Sequence, residues 1–190
     1  MSSSRPLTLV TGGGRGIGAA TVLHLAGHGH DVVVGYLGNH ACAERVVGAA
    51  RAAGARALAV SGDVANDDDV ARLFAAAAEL GQITGLVNNA GLTAHIGDLA
   101  DTPVAVVRQV VEVNLLGVLL CARRAAQVMS TSRGGSGGAI VNVSSGAATL
   151  GSAHEYVHYA AAKAGVEGLT VAWRRSWPTR ECASTPWHPA

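Results

Sequence analysis

The sequence predicts an α/β fold, a doubly wound parallel sheet, because short apolar runs alternate with stretches that have the length and period of helices. Such alternation places helices on both faces of a parallel sheet. Strands are expected near Leu7, Val32, Ala57, Leu86 and Ile140. Helices are expected near 16–28, 41–53, 67–80, 103–130 and 156–172, with the fourth broken in two before Asn114. Asn66 precedes three aspartates and is expected to cap the third helix.

The turn after the first expected strand is rich in glycine and reads Thr11-Gly-Gly-Gly-Arg-Gly-Ile-Gly18. Strand, glycine turn and helix form the context that a dinucleotide fingerprint requires. Gly12 would permit the sharp turn, Gly16 would let the backbone approach a pyrophosphate, and Gly18 would let the helix pack closely. Free N–H groups at the helix N-terminus suit the phosphates. The turn residues expected at this cofactor site are Gly12, Arg15, Gly16, Ile17 and Gly18.

Two later strands also end in small polar residues. The strand near Leu86 ends in Asn-Asn-Ala-Gly, and the strand near Ile140 ends in Asn-Val-Ser-Ser. Ligands of open parallel sheets bind beyond the carboxyl ends of the strands. The glycine turn and both strand ends are therefore expected to meet at one edge of the sheet.

A tyrosine and a lysine lie four residues apart in the last expected helix, in Tyr159-Ala-Ala-Ala-Lys163. Side chains at this spacing share one helix face. A lysine ammonium near a phenol favours the phenolate, and such a tyrosine can exchange a proton with a substrate oxygen near neutral pH. The spacing alone is a weak signal, and the segments upstream make catalysis the favoured interpretation.

The order of these motifs resembles that of the short-chain dehydrogenase/reductase family. The resemblance runs from about Leu7 to Ala172 and rests on Thr-Gly-x-x-x-Gly-x-Gly, Asn-Asn-Ala-Gly, a helical asparagine, a serine and Tyr-x-x-x-Lys. It implies a Rossmann-like fold and an oxidoreductase that moves a hydride between nicotinamide and a carbonyl or alcohol carbon. It also implies that Tyr159 is the general acid/base, that Lys163 supports its phenolate and contacts the ribose, and that Ser145 holds the substrate oxygen.

The resemblance assigns further roles to residues of the other motifs. Asn114 would hold a water that links Lys163 to solvent, and Asp63 would meet the adenine amino group. The catalytic set that it implies is Asn114, Ser145, Tyr159 and Lys163. The cofactor-binding set that it implies beyond the glycine turn is Asp63, Val64, Asn88, Ala90, Gly91, Tyr159 and Lys163.

Two of the catalytic residues have near-duplicates. Ser144 and Ser145 are adjacent and would face opposite ways on a strand, and the family pattern favours the second. Tyr156 has an alanine four residues on where Tyr159 has a lysine, so Tyr159 is the better acid. The interval from Ser145 to Tyr159 is one residue longer than in most family members, a departure shared by members that resemble glucose or gluconate dehydrogenases.

NADP(H) is favoured over NAD(H) as cofactor. An acid at the end of the second strand would bind the ribose 2′-hydroxyl of NAD. Asp31 stands at the start of that strand, and no acid follows until Glu44. Arg15 could pair with a 2′-phosphate, although an arginine in a loop is more often only solvated.

The composition of the chain limits the kinds of partner that are expected. A chain of 190 residues with net charge +1 and 14% charged residues suits one domain and argues against nucleic acid. The longest apolar stretch, near Val113 to Ala122, is expected to be too short to span a membrane. Three cysteines without metal-like spacing, together with a polar N-terminus, predict a cytoplasmic protein without a metal site.

The character of the chain changes near its end. Residues 1–171 are expected to form the dinucleotide-binding domain, whereas 172–190 show no helical or strand period. Back-translated with one base restored at Ala172, the tail reads as a helix end followed by Val-Asn-Ala-Val-Ala-Pro-Gly, which resembles the family. The hypothesis is a frameshift, which resequencing the gene would test; the alternative is a divergent tail. The sheet would then be incomplete at its C-terminal edge, with Ile140 to Val143 exposed, and the tetramer that the family suggests would be doubtful.

The favoured function is an NADP-dependent oxidoreductase acting on a small carbonyl or alcohol substrate. The alternative is a non-catalytic nucleotide-binding or misfolded remnant of such an enzyme. A scaffold that uses the fold without a cofactor is disfavoured by the complete glycine turn. Candidate substrates include a 3-oxoacyl thioester, a sugar lactol and a small ketone.

Overall fold

The computed structural model describes residues 5–176 and 183–187, and its strands form one six-stranded parallel sheet. The strands are β1 (Leu7–Val10), β2 (Asp31–Tyr36), β3 (Ala57–Ser61), β4 (Ile83–Asn88), β5 (Ala139–Val143) and β6 (Ala183–Trp187). Their order across the sheet is β3-β2-β1-β4-β5-β6. The strand order therefore reverses between β1 and β4, and the carboxyl ends of these two strands mark the crevice where such sheets bind ligands.

Helices cover both faces of the sheet, which confirms the doubly wound α/β fold. They are α1 (Gly16–Gly27), α2 (His40–Ala52), α3 (Asp67–Leu80), α4 (Val104–Val111), α5 (Gly117–Met129), α6 (Ala147–Leu150) and α7 (Val157–Ser176). The five expected strands and the long helices are confirmed within a few residues, whereas the short helix α6 was not expected. Asn66 caps α3 as predicted, since its Oδ1 accepts a hydrogen bond from the amide of Asp69 at 3.0 Å.

The core consists of two apolar clusters, one on each face of the sheet. Neighbouring residues of β1 divide between them, because successive side chains of a strand point to opposite faces. Leu9 belongs to the cluster under α3 and α5, which includes Phe74, and Val10 to the cluster under α1 and α2, which includes Val22. A sheet buried on both faces explains why its central strands are nearly continuous apolar runs.

The expected break before Asn114 is wrong, because α4 and α5 are joined by a π-helical turn, Glu112–Leu116, in one continuous helical run. A π turn accommodates an extra residue without ending the helix, and such turns occur frequently at functional sites. Asn114 lies in this turn with none of its surface exposed.

The expectation that the apolar stretch near Val113 to Ala122 is too short to span a membrane is wrong as far as length is concerned, because the helical run Val104–Met129 has 26 residues. Among the described residues it is the one helix long and apolar enough to cross a membrane. Cys121, Ala125 and Met129 of this run are packed into the core cluster under α3 and α5. The core helix of a globular domain meets the same criteria, so the finding is weak evidence for a membrane span.

The expectation of an exposed edge at β5 is also wrong. Ala183–Trp187 forms β6 and pairs in parallel with β5, and α7 continues through position 172 to Ser176. Strand pairing uses backbone groups, so it does not require an alternating side-chain pattern. Pro186 has no amide hydrogen to donate, which is tolerated on an edge strand such as β6. The other tail residues, 177–182 and 188–190, lie outside the described residues, and the frameshift stays a prediction.

Candidate active site

A cavity of about 910 Å³ opens at the carboxyl ends of the strands, beside the point where the strand order reverses. Its lining comes from the glycine turn, the segments after β2, β3 and β4, and the end of α4 with the π turn. The expected cofactor-binding residues in this lining are Gly12, Arg15, Gly16, Ile17, Asp63, Val64, Ala90 and Gly91. The expected residues outside this lining are Gly18, Asn88, Tyr159 and Lys163.

The glycine turn is shaped by two positions that exclude a side chain for different reasons. Gly12 has φ +64°, in the left-handed region that favours glycine. A Cβ on Gly18 would lie 2.4 Å from the carbonyl oxygen of Gly12 and 2.5 Å from Nδ2 of Asn89. The start of α1 is thus pressed against the turn and the end of β4. The N-cap residue, Arg15, makes no side-chain cap, which fits a helix N-terminus open to an anion.

The turn is fastened to β4 by Thr11 and Asn89, which the sequence analysis did not single out. Asn89 Nδ2 donates to the carbonyl oxygens of Thr11 and Gly12, at 3.0 and 3.1 Å. Thr11 Oγ1 accepts from the amides of Asn89 and Ala90, at 3.0 and 3.1 Å. Strand alternation was the available signal, since adjacent asparagines at a strand end must face opposite sides.

The side chain of Asn88, an expected cofactor-binding residue, has its hydrogen-bond partners inside the sheet. This side chain is buried and lies outside the cavity lining, where Asn89 is found instead. Asn88 Nδ2 donates to Asn142 Oδ1, and Asn142 Nδ2 donates to Thr170 Oγ1, both at 2.9 Å. This buried chain of hydrogen bonds joins β4, β5 and α7, so Asn88 contributes to the framework that carries the site.

The end of β2 brings no carboxylate to the cavity. The lining there consists of Tyr36, Leu37, Gly38 and Asn39, with Arg15 in the same lining. Asp31 stands at the amino end of β2, fully buried, where its carboxylate pairs with Arg56 at 2.6 Å and Arg5 at 3.3 Å.

Tyr159 and Lys163 lie together on α7, as their spacing predicts. Lys163 Nζ lies 5.7 Å from the centroid of the Tyr159 ring and donates to the carbonyl oxygen of Val143 at 2.8 Å. Burial lowers the pKa of Lys163 to about 8. Below that pH the ammonium form predominates, so a positive charge stands beside the half-buried phenol at neutral pH.

Asn114 holds the segment that follows β4. Its Nδ2 donates to the carbonyl oxygens of Leu92 and Val110, at 2.7 and 2.9 Å, and its Oδ1 accepts from the amide of Leu92 at 3.2 Å. A Cβ on Gly91 would lie 2.6 Å from Asn114 Oδ1 and 3.8 Å from Lys163 Nζ. Asn114 and Lys163 thus converge on Gly91, which itself lines the cavity.

The two adjacent serines have different partners. Ser144 is buried, and its hydroxyl donates to Glu167 Oε1 on α7 at 3.1 Å. Ser145 is half-buried, and its Oγ accepts from the amide of Ala147 at 3.2 Å. Ser144 therefore serves packing against α7, and Ser145 is the serine whose hydroxyl hydrogen is left to donate to a ligand.

The cysteines contribute no cross-link among the described residues. Cys42 and Cys121 are free thiols, and Cys182 lies outside the described residues. Burial raises the pKa of Cys121 to about 12, which keeps it a neutral core residue. Within 5–176 and 183–187, no group of three histidine, cysteine or acidic side chains could hold a metal ion.

The comparison with known protein families identifies the family of this chain. The family model for short chain dehydrogenases matches residues 6–184, most of the chain. The chain belongs to the short-chain dehydrogenase/reductase family. The doubly wound parallel sheet agrees with that membership.

Curated relatives of this short-chain dehydrogenase are identical to it at about two fifths of the aligned positions. The oxidoreductase YgfF of Escherichia coli is 41% identical over 87% of this chain and 67% of its own length. The cis-4-hydroxycyclohexanecarboxylate dehydrogenase of Sinomonas cyclohexanicum is 45% identical over 86% of this chain and 64% of its own length. A 3-oxoacyl-[acyl-carrier-protein] reductase of Synechocystis is 39% identical over 86% of this chain and 65% of its own length. The chain thus spans about two thirds of the length of the relatives that it matches.

Proposed function

We propose that this short-chain dehydrogenase is an NADP-dependent oxidoreductase that interconverts a carbonyl and an alcohol, with Tyr159 as general acid/base. The observation that carries the proposal is the placement of the Lys163 ammonium 5.7 Å from the Tyr159 ring. Lys163 Nζ would lie 3.8 Å from a Cβ on Gly91, and Gly91 lines the cavity that the glycine turn shapes.

The cavity fits a dinucleotide in shape and in polar character. The positions of Gly12 and Gly18 are a cradle that side chains would fill, and the uncapped N-terminus of α1 offers N–H groups to a pyrophosphate. Asp63 and Val64 line the part after β3 that would hold the adenine. When bound, the nicotinamide would supply or accept the hydride.

The residues of the chain would handle the proton. In the direction of reduction, Tyr159 would donate its phenolic proton to the carbonyl oxygen, and the Lys163 ammonium would stabilise the phenolate that remains. Ser145 would donate a hydrogen bond to the same oxygen, because its Oγ already accepts from the amide of Ala147. Asn114 would hold the segment around Leu92 in place and support a water from which Lys163 is reprotonated after it passes a proton to the Tyr159 phenolate, which restores the acid.

The preference for NADP over NAD is part of the proposal and rests on Arg15. Arg15 belongs to the same cavity lining as the end of β2, which carries no carboxylate that would compete for a 2′-phosphate. We expect Arg15→Ala to weaken NADPH binding about tenfold, as loss of one charge-assisted contact at an exposed site allows, and to leave NADH binding unchanged. Fluorescence titration with both cofactors measures this. Arg133→Ala, an exposed arginine outside the cavity lining, is the control. An equal loss for both cofactors, or no loss, would contradict the proposed preference.

Turnover with a carbonyl panel separates this function from that of a nucleotide-binding remnant. The panel contains acetoacetyl-CoA, an aldonolactone, which is the carbonyl partner of a sugar lactol, and a small ketone. NADPH consumption with any of them supports the reductase, whereas NADPH binding without consumption supports the remnant. A cytoplasmic location and a frameshifted tail over 172–190 are also part of the proposal, whereas the tetramer that the family suggests stays doubtful for this chain.

A further inference from the structure

The loop that follows β4 is hydrogen-bonded to two other segments near the proposed site. This loop, residues 92–98, begins one residue after Gly91 of the cavity lining. The side chain of Asn114 is hydrogen-bonded to both the amide and the carbonyl oxygen of Leu92. The amide of Gly97 donates to the carbonyl oxygen of Glu155 at 2.8 Å. The loop is therefore tied both to the π turn and to the segment that leads from Ser145 to Tyr159.

Asp98 Oδ1 lies 2.6 Å from His154 Nδ1 at the end of the 92–98 loop, and His158 provides a further attachment in the middle of the loop. His158 is the second residue of α7 and the neighbour of Tyr159, and only 4% of its surface is exposed. Its Nε2 lies 3.1 Å from the carbonyl oxygen of Ala94. Ala94 has φ +30° and His95 has φ +57°, so two consecutive residues other than glycine hold left-handed conformations at this point. Such conformations cost energy and persist only where surrounding contacts impose them.

The contact with Ala94 decides which nitrogen of the His158 imidazole must carry a hydrogen. A carbonyl oxygen only accepts hydrogen bonds, so Nε2 of His158 must carry hydrogen. The other ring nitrogen, Nδ1, is buried and has no hydrogen-bond partner among the described residues. A buried polar atom without a hydrogen-bond partner lowers the stability of the fold. His158 is nevertheless buried here with its Nε2 bonded to Ala94.

We infer that His158 is a positioning residue, whose bond to Ala94 fixes the 92–98 loop against the catalytic helix α7 and so sets the space that receives the carbonyl substrate. The inference rests on the proposed function. The loop is bonded to the segment from Ser145 to Tyr159 through Gly97 and Glu155, and His158 adds a further bond directly beside the proposed acid in sequence. Loss of the bond would loosen the middle of the loop, whose two ends stay bonded to Asn114 and Glu155, and would weaken substrate binding while leaving the cofactor cavity at the glycine turn intact.

Two variants of similar polarity but different reach test the bond. The side-chain amide of His158→Gln can place an N–H donor near the position of Nε2, whereas that of His158→Asn can reach only the position of Nδ1. Hydrogen exchange at the amides of Leu92 and Gly97 reports on the loop without any turnover. We expect His158→Asn to accelerate exchange at both amides at least about threefold, the scale of one lost hydrogen bond, and His158→Gln to stay near wild type.

Kinetics provide the second readout. With acetoacetyl-CoA as the probe, we expect His158→Asn to raise KM about three- to tenfold, with kcat and NADPH affinity unchanged and with rescue in His158→Gln. Equal behaviour of the two variants, unchanged exchange in His158→Asn, or exchange that rises equally in the β1–α1 turn would overturn the inference. If the wild-type chain turns over no carbonyl, the proposed function fails, and the exchange data alone decide whether His158 holds the loop.

Discussion

Replacement of Tyr159 by phenylalanine is expected to reduce carbonyl reduction by about a hundred- to ten-thousandfold, the range that general acid catalysis supplies. The change removes only the phenolic hydroxyl. The ring keeps its edge-to-face packing on Tyr156, with centroids 5.5 Å apart, and its place near Lys163. NADPH affinity and the melting temperature should stay close to those of the wild type. Steady-state kinetics and fluorescence titration measure these quantities.

Tyr156→Phe is the matched control for this prediction. It removes the same hydroxyl from the neighbouring ring, but the residue four positions further on is Ala160. We expect it to keep most of the activity. Undiminished reduction by Tyr159→Phe, or an equal loss in both variants, would show that Tyr159 is not the acid.

Gly18→Ala is expected to lower cofactor affinity by at least about tenfold and to destabilise the fold by about 1–3 kcal/mol, the usual cost of overpacking. The new methyl would meet the carbonyl oxygen of Gly12 at 2.4 Å, and backbone at that distance must move. The movement would displace the turn that the phosphates are proposed to contact. NADPH titration and thermal unfolding measure both effects.

Gly27→Ala in the same helix is the control for Gly18→Ala. A Cβ on Gly27 meets nothing within 4 Å, so this change should leave cofactor affinity unaltered and raise stability slightly, by up to about 1 kcal/mol. If Gly18→Ala binds NADPH like the wild type, the close approach of α1 to the turn has no part in cofactor binding.

Most of the fold could be predicted because its signals are local. Apolar runs bounded by turns locate β1 to β5, and the cap at Asn66 locates the start of α3 to the residue. β6 escaped prediction because an edge strand can pair through its backbone without an alternating pattern. The π turn around Asn114 escaped it because a continuous helix and a break have nearly the same apolar spacing over so short a stretch.

In the site, too, contacts between residues close in sequence could be predicted, whereas contacts that depend on packing could not. The pairing of Tyr159 with Lys163 follows from helix periodicity, so the sequence was sufficient to predict it. The choice between Asn88 and Asn89 depends on which face of β4 each side chain meets, which only the packed sheet decides. The attachment of His158 to Ala94 joins residues 64 positions apart, and no spacing rule predicts such a contact.

The transfer of hydride itself tests the central claim most directly. The purified chain would be incubated with acetoacetyl-CoA and NADPH that carries deuterium at the reactive nicotinamide carbon, with Tyr159→Phe in parallel, and the alcohol product analysed by mass spectrometry. The account predicts one deuterium on the new carbinol carbon, transferred from one face of the nicotinamide only, and little product from the variant. Cofactor binding with no deuterated alcohol from the wild-type chain, on this substrate or on the rest of the carbonyl panel, would contradict it.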